Sequence, residues 1–186
     1  MKIINTKKFR KLRSENYSYN FNKINGYFER WGKTQEDDPD YSPFGNEILD
    51  IEVSTICNGV PGLNGIESPC KFCYKSNTKI GRNMTLDTFK TILSLQPQTL
   101  TQIAIGADAK GEANPDLFAM MEYARNRGII PNITIANISD ATAVKLVNVI
   151  GALAVSRYEN KDICYNSVKK CNDAFLKKKI FVKKKK

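Results

Sequence analysis

The chemistry-bearing residues of this chain sit in one run, Cys57-Asn-Gly-Val-Pro-Gly-Leu-Asn-Gly-Ile-Glu-Ser-Pro-Cys70-Lys-Phe-Cys73-Tyr74. Its spacing is C-x12-C-x2-C, and it directly follows a strand-like segment, Ile48–Ser54. Three thiols on one loop suit a metal cradle better than a core, and both zinc and iron–sulfur clusters favour thiolate ligands. Three protein ligands instead of four leave one metal position open to another molecule. C-x2-C also occurs in zinc sites, so the run alone leaves both metals open. The chain has no histidine, which removes any His-containing zinc site and any His acid–base catalyst.

The elements that must position this loop alternate strand and helix from residue 48 onward. Strands are expected at Ile48–Ser54, Gln102–Gly106, Asn132–Ala136 and Ala152–Ser156. Thr85 caps a helix with Leu86, Phe89 and Leu93 at helical spacing. Asn114-Pro115 is an N-cap and first-turn proline for a helix with Leu117, Met120, Met121 and Ala124 that stops at Gly128. Ser139 caps a third, with Ala143, Val144, Val147 and Ile150. The fourth, Lys161–Phe175, has Cys164, Val168, Cys171 and Phe175 on one stripe, which reads Cys164 and Cys171 as small buried hydrophobes. This alternation implies α/β architecture with parallel strands.

The strands carry a second signal in their period of two. One face is regular and apolar: Leu49/Ile51/Val53, Ile103/Ile105, Ile133/Ile135 and Leu153/Val155. The other is polar or small: Asp50/Glu52/Ser54, Gln102/Ala104/Gly106, Asn132/Thr134/Ala136 and Ala152/Ala154/Ser156. A parallel sheet covered by helices on both faces is nearly continuous apolar sequence. Here only one face suits helices, and the other is expected to line a polar cavity.

The 186 residues suffice for one domain, and no apolar stretch approaches a membrane span or a signal-peptide core. A reducing cytoplasm is expected, with five cysteines, an odd number, serving metal or catalysis rather than disulfides. The net charge of +10 is concentrated at the ends: residues 1–13 hold six Lys/Arg and no acid, and residues 177–186 hold seven Lys and no acid. The remainder carries 16 bases against 19 acids. Both basic runs are expected as solvated tails making at most weak, salt-sensitive contacts with nucleic acid. Between them and the core, Tyr17, Tyr19 and Phe21 alternate, Asn25-Gly26 is a turn signal, and Tyr27–Trp31 follows, which predicts a β-hairpin covering one end of the domain. The organisation is therefore residues 1–46 as a basic segment and hairpin extension, 47–176 as the core, and 177–186 as a Lys-rich tail.

On these residues the chain resembles the radical S-adenosylmethionine superfamily, over about residues 47–175, and most nearly the bacterial and phage members whose substrates are not known. The usual pattern there is C-x3-C-x2-C after the first strand, with an aromatic before the last cysteine. Phe72 fills that place and Tyr74 follows, but the first spacer is twelve residues long. The superfamily's second strand ends in a Gly-Gly-Glu-like turn; here Gly106-Ala107-Asp108 ends the strand, with Gly111-Glu112 beyond, so Asp108 or Glu112 takes the acid's place. Asn137 matches the asparagine that often follows the third strand, and Ser156, with Arg157 beside it, matches a serine ending the fourth.

The resemblance implies a partial parallel (β/α) barrel of about four β/α units with the N-terminal β-hairpin extension. It implies a [4Fe–4S] cluster on Cys57, Cys70 and Cys73, and S-adenosyl-L-methionine held near Phe72, Tyr74, Gly106, Ala107, Asp108 or Glu112, Asn137, Ser156 and Arg157. One electron from an external donor would cleave the cofactor to a 5′-deoxyadenosyl radical, which abstracts hydrogen from a substrate the sequence does not identify. The superfamily's core has six such units, so the expectation includes a core shortened after four, and an inactive fragment as one alternative. The other alternative is a structural zinc module, with Cys164, Cys171 or an acid as fourth ligand and basic tails contacting nucleic acid. No membrane association is expected.

Overall fold

The computed structural model describes residues 1–68, 70, 71, 73 and 75–184, with side chains through residue 178. Phe72 and Tyr74 lie outside the described residues. Four parallel strands, β5 (Ile48–Glu52), β8 (Gln102–Gly106), β9 (Ile130–Ile135) and β10 (Leu153–Val155), form one sheet in the order β10-β9-β8-β5. Each strand pairs with its predecessor in the strand–helix series, so the order never reverses as it does in a doubly wound sheet. The sheet is open, with β5 and β10 as its edges. Among the described residues no helix is long and apolar enough to cross a membrane.

Helices α1 (Leu86–Ser94), α2 (Leu117–Asn126), α3 (Asp140–Val149) and α4 (Lys161–Lys184) share one core with the apolar strand face. Ile51, Val53, Ile103, Ile105, Ile133 and Ile135 pack there with Phe89, Leu93, Met120, Met121 and Leu146. Each such side chain contributes on the order of 1.5–3 kcal/mol on burial. Thr85 caps α1 by accepting from Thr88 N, and Ser139 caps α3 by accepting from Thr142 N.

Two helices differ in detail from the sequence expectation. Helix α2 begins at Leu117, after a turn over Pro115 and Asp116 that the Asn114 side chain holds. Its amide donates to the carbonyls of Val53 (2.7 Å) and Met84 (3.0 Å) and its oxygen accepts from Asp116 N, tying the helix start to the end of the first parallel strand. Helix α4 continues to Lys184, through the segment expected as the start of the tail. Its buried stripe is Cys164, Ser167, Cys171 and Ala174, while Val168 and Phe175 are exposed. Small side chains face inward because Ser167 Oγ must approach the turn after β9, accepting from Ile138 N (3.1 Å) and donating to Ala136 O (3.3 Å).

The N-terminal region is a four-stranded antiparallel meander, β1 (Lys2–Asn5), β2 (Phe9–Arg13), β3 (Ser18–Asn22) and β4 (Phe28–Trp31). The expected hairpin is β3–β4, and the basic segment expected as a tail supplies two further strands. Its lysines masked an alternating pattern in which Arg10 and Leu12 point inward while Lys11 and Arg13 point out. The inner face buries Leu12, Tyr17, Tyr19 and Phe21 around Ile130. Tyr19 Oη bonds Thr101 Oγ1 at 2.8 Å, Arg10 donates to Leu100 O, and Tyr17 donates to Glu47. All of these partners precede or begin parallel strands, so the meander covers the sheet's amino end.

Candidate functional site

Strand register explains why the polar face is open at only one end. Its lowest row is Ile48, Gln102 and Ile130, with Ile130 buried in the meander's aromatic cluster. The next rows are Asp50–Ala104–Asn132 and Glu52–Gly106–Thr134–Ala154. Small side chains at the middle strands leave room, and a cavity of about 680 Å³ opens there at the carboxyl ends. It is lined by strand and loop residues with no helix residue among them, and the volume falls within the roughly 300–1,000 Å³ typical of ligand sites.

Cys57, Cys70 and Cys73 all line this cavity, together with Gly106, Ala107, Asp108 and Ser156. The long spacer is resolved by a small hairpin, β6 (Val60–Pro61) against β7 (Glu67–Ser68). An antiparallel hairpin returns to its origin, so twelve intervening residues need not separate Cys57 from Cys70. Gly65 takes the left-handed conformation at its turn (φ 75°). Lys110 Nζ, on the loop after β8, pairs with Glu67 Oε1 at 2.6 Å, and Asn160 Nδ2 donates to Gly62 O at 3.4 Å. The hairpin is thus fastened to loops on both sides of the cavity.

The thiols are close enough to feel one another. Burial pushes the Cys70 thiol up, the Tyr158 hydroxyl donates to it and pulls the other way, and Cys57 and Cys73 push up again. Gly59 N donates to Cys57 Sγ at 3.3 Å. Among the described residues no three Cys, Asp or Glu side chains converge on a point suited to one metal ion. Tetrahedral zinc draws its thiolates to about 3.8 Å from one another, given Zn–S bonds near 2.3 Å. A cluster instead takes each thiolate on a different iron, which spreads the sulfurs. Either metal would draw on Cys57, Cys70 and Cys73, which share this cavity. Cys164 and Cys171 are buried on α4 and do not line the cavity, so neither supplies a fourth ligand there.

The remaining candidates divide. Asp108 is buried, and its carboxylate accepts from three backbone N–H groups: Lys110 (3.0 Å) on one oxygen, Glu112 (2.9 Å) and Ala113 (2.9 Å) on the other. Its main work is to shape the strand-end loop. Glu112 points away from the cavity to the start of α3, accepting from Ser139 (2.9 Å) and Thr142 (2.7 Å), which hold its carboxyl below the usual range. Asn137 follows β9, where its N–H donates to Ala109 O, but it does not line the cavity. Arg157 is exposed outside it.

Three cavity residues, Lys75, Asn77 and Tyr158, carried no assignment from the sequence. Lys75 Nζ pairs with Glu52 Oε1 at 3.1 Å and donates to Ala107 O at 3.3 Å. A Cβ on Gly106 would stand 3.3 Å from that ammonium and 3.4 Å from Glu52 Cα, so glycine permits this close approach. Asn77 donates to Glu52 Oε1 at 2.9 Å, while its own buried Oδ1 has no partner among the described residues. Tyr158 hydrogen-bonds Ser156 and Cys70, and burial pushes its phenol up. The signal for Tyr158 was its position two residues beyond Ser156, which continues the cavity-facing period; Lys75 and Asn77 had no comparable signal.

Compared with protein-family models, curated proteins and solved structures, the chain matches none.

Proposed function

We propose that this chain is a radical S-adenosylmethionine protein, with an iron–sulfur cluster on Cys57, Cys70 and Cys73 and S-adenosylmethionine in the adjoining cavity. One observation carries the reading: the three cysteines border the cavity that the polar strand face creates, at the carboxyl end where parallel β/α folds bind ligands. When bound, the group supplies one-electron cleavage of the cofactor, driven by an external donor.

The chain's own residues hold and orient. The hairpin-bearing loop would hold the cluster through Cys57, Cys70 and Cys73, which border the cavity. Ala107 O already accepts from an ammonium, that of Lys75, so it is oriented for a cationic nitrogen. The Asp108 oxygens are held by backbone donors and Glu112 is turned to α3, so the cofactor's amino group would meet Ala107 O and Glu52 in exchange for the Lys75 ammonium that now contacts both. Gly106 keeps that approach open, and Ser156 with Tyr158 borders the opposite wall. Five free cysteines agree with a reducing cytoplasm.

Anaerobic reconstitution tests the reading. About four irons and four sulfides per chain are expected, and dithionite with S-adenosylmethionine should release 5′-deoxyadenosine. Cys70→Ala should abolish both. Zinc without sulfide would overturn the assignment in favour of a structural metal module; a full cluster without 5′-deoxyadenosine would identify a cluster-binding core lacking the activity.

A further inference from the structure

The meander buries one face against the parallel sheet and leaves the other to solvent. Strand register sets that outer face as rows: Lys2, Arg13, Ser18 and Trp31, then Ile4, Lys11, Asn20 and Glu29, then Phe9 beside Asn22. A solvent face with no further task mixes charges of both sign. This one has three cations and one acid, and that acid is already engaged by Asn20 Nδ2 (3.2 Å) and Tyr27 Oη (3.2 Å). Lys7 and Lys8 add exposed charge in the β1–β2 turn. Residues 1–33 carry nine Lys/Arg against two acids, whereas residues 34–160 carry ten against fifteen. Apart from residues 161–186, with ten Lys against two acids, the positive charge is therefore concentrated on this sheet and not on the strands and loops of the cavity-bearing body.

Aromatic and amide groups lie among the cations. Phe9 is 40% exposed, and the Arg13 guanidinium sits over the Trp31 ring, 5.1 Å from its centre. Arg13 also donates to Asn20 Oδ1, which fixes the guanidinium plane across the sheet. We propose that this outer face binds single-stranded nucleic acid, with Lys2, Lys11 and Arg13 on phosphates and bases stacked on Phe9 and the Arg13–Trp31 pair. Four strands about 4.8 Å apart give a platform roughly 14 Å wide, enough for a few nucleotides. Charge alone would also suit an acidic polypeptide; the flat aromatic and guanidinium surfaces of Phe9, Trp31 and Arg13 favour bases. The surface lies at the end opposite the cysteines and does not depend on the metal assignment.

Trp31 is the chain's single tryptophan and so a built-in reporter. Titration of the full-length protein with (rU)8 and (dT)8 should quench or shift its emission, and comparing the two separates RNA from DNA. Three phosphate contacts predict a log–log salt slope of about −2, an affinity loss of about 20-fold between about 50 and 200 mM salt. Lys2→Glu/Lys11→Glu should weaken binding at least about tenfold with an unchanged thermal melt. Replacing the last four lysines, 183–186, with serine should change it little. A silent Trp31, equal binding by the double variant, or loss confined to the tail variant would each overturn the proposal. So would displacement of the oligonucleotide by poly-glutamate at equal charge, which would identify an acidic polypeptide as the occupant.

Discussion

Asp108 separates two roles that a single acid at a strand end could have, ligand contact or loop architecture, and its substitution distinguishes them. The carboxylate is 7% exposed and accepts three backbone N–H bonds at 2.9–3.0 Å. Hydrogen bonds to a charged acceptor are worth about 1.5–3 kcal/mol each, and water reaching the part-buried donors after truncation recovers about half of the sum, leaving roughly 3 kcal/mol for Asp108→Ala. With a urea m-value of about 2 kcal/mol/M, the midpoint should fall by about 1.5 M. Asp108→Asn keeps an oxygen for Glu112 and Ala113 but turns an amide toward the Lys110 N–H, a donor against a donor. Its cost should be about half, near 1.5 kcal/mol. Urea unfolding followed by circular dichroism, with no cofactor present, gives the order wild type, Asn, Ala. Two variants within about 0.5 kcal/mol of wild type, a margin typical of surface substitutions, would refute the architectural role and return Asp108 to ligand contact.

Two further outcomes follow from the packing between the meander and the sheet. Burial raises the Glu47 carboxyl above its ordinary value, partly offset by hydrogen bonds from Tyr17 and Ser42. A raised folded value means that its stability contribution is full below the unfolded value of about 4.3 and is lost as pH rises through the folded one. Glu47→Gln, which keeps an acceptor for Tyr17, should flatten that part of the profile in thermal melts from about pH 4 to 7; an unchanged slope would refute the cause. At Gly151, a Cβ would fall 2.1 Å from Ile130 Cγ2 and 3.0 Å from Asn132 Oδ1. Ile130 is fully buried and cannot yield, so Gly151→Ala should cost about 1–3 kcal/mol or more by overpacking, measured as a lowered denaturation midpoint.

Whatever depends on local pattern was legible along the chain. Period two along four segments identified the strands and separated the helix-covered face from the cavity face, because successive side chains in a strand must alternate. The caps at Thr85 and Ser139 were legible because an N-cap hydroxyl answers a nearby backbone donor. On α4 the pattern placed Cys164 and Cys171 in the core but chose Val168 and Phe175 over their neighbours Ser167 and Ala174, since hydrophobicity does not say which side must approach a neighbour closely.

The rest came from packing between distant segments. The basic run at residues 1–13 looks like a tail until Leu12 and Arg10 find the amino ends of the parallel strands as a surface to bury against. Asp108 and Glu112, four residues apart, are equivalent in sequence and opposite in place, one folded into its own loop and the other turned to α3. Lys75, Asn77 and Tyr158 enter the cavity through loops whose paths no periodicity encodes. The cysteine spacing named three thiols and a vacancy; the β6–β7 hairpin and the register of β5, β8, β9 and β10 are what bring those thiols to one cavity, because contacts between segments far apart in the chain are set by packing rather than by local preference.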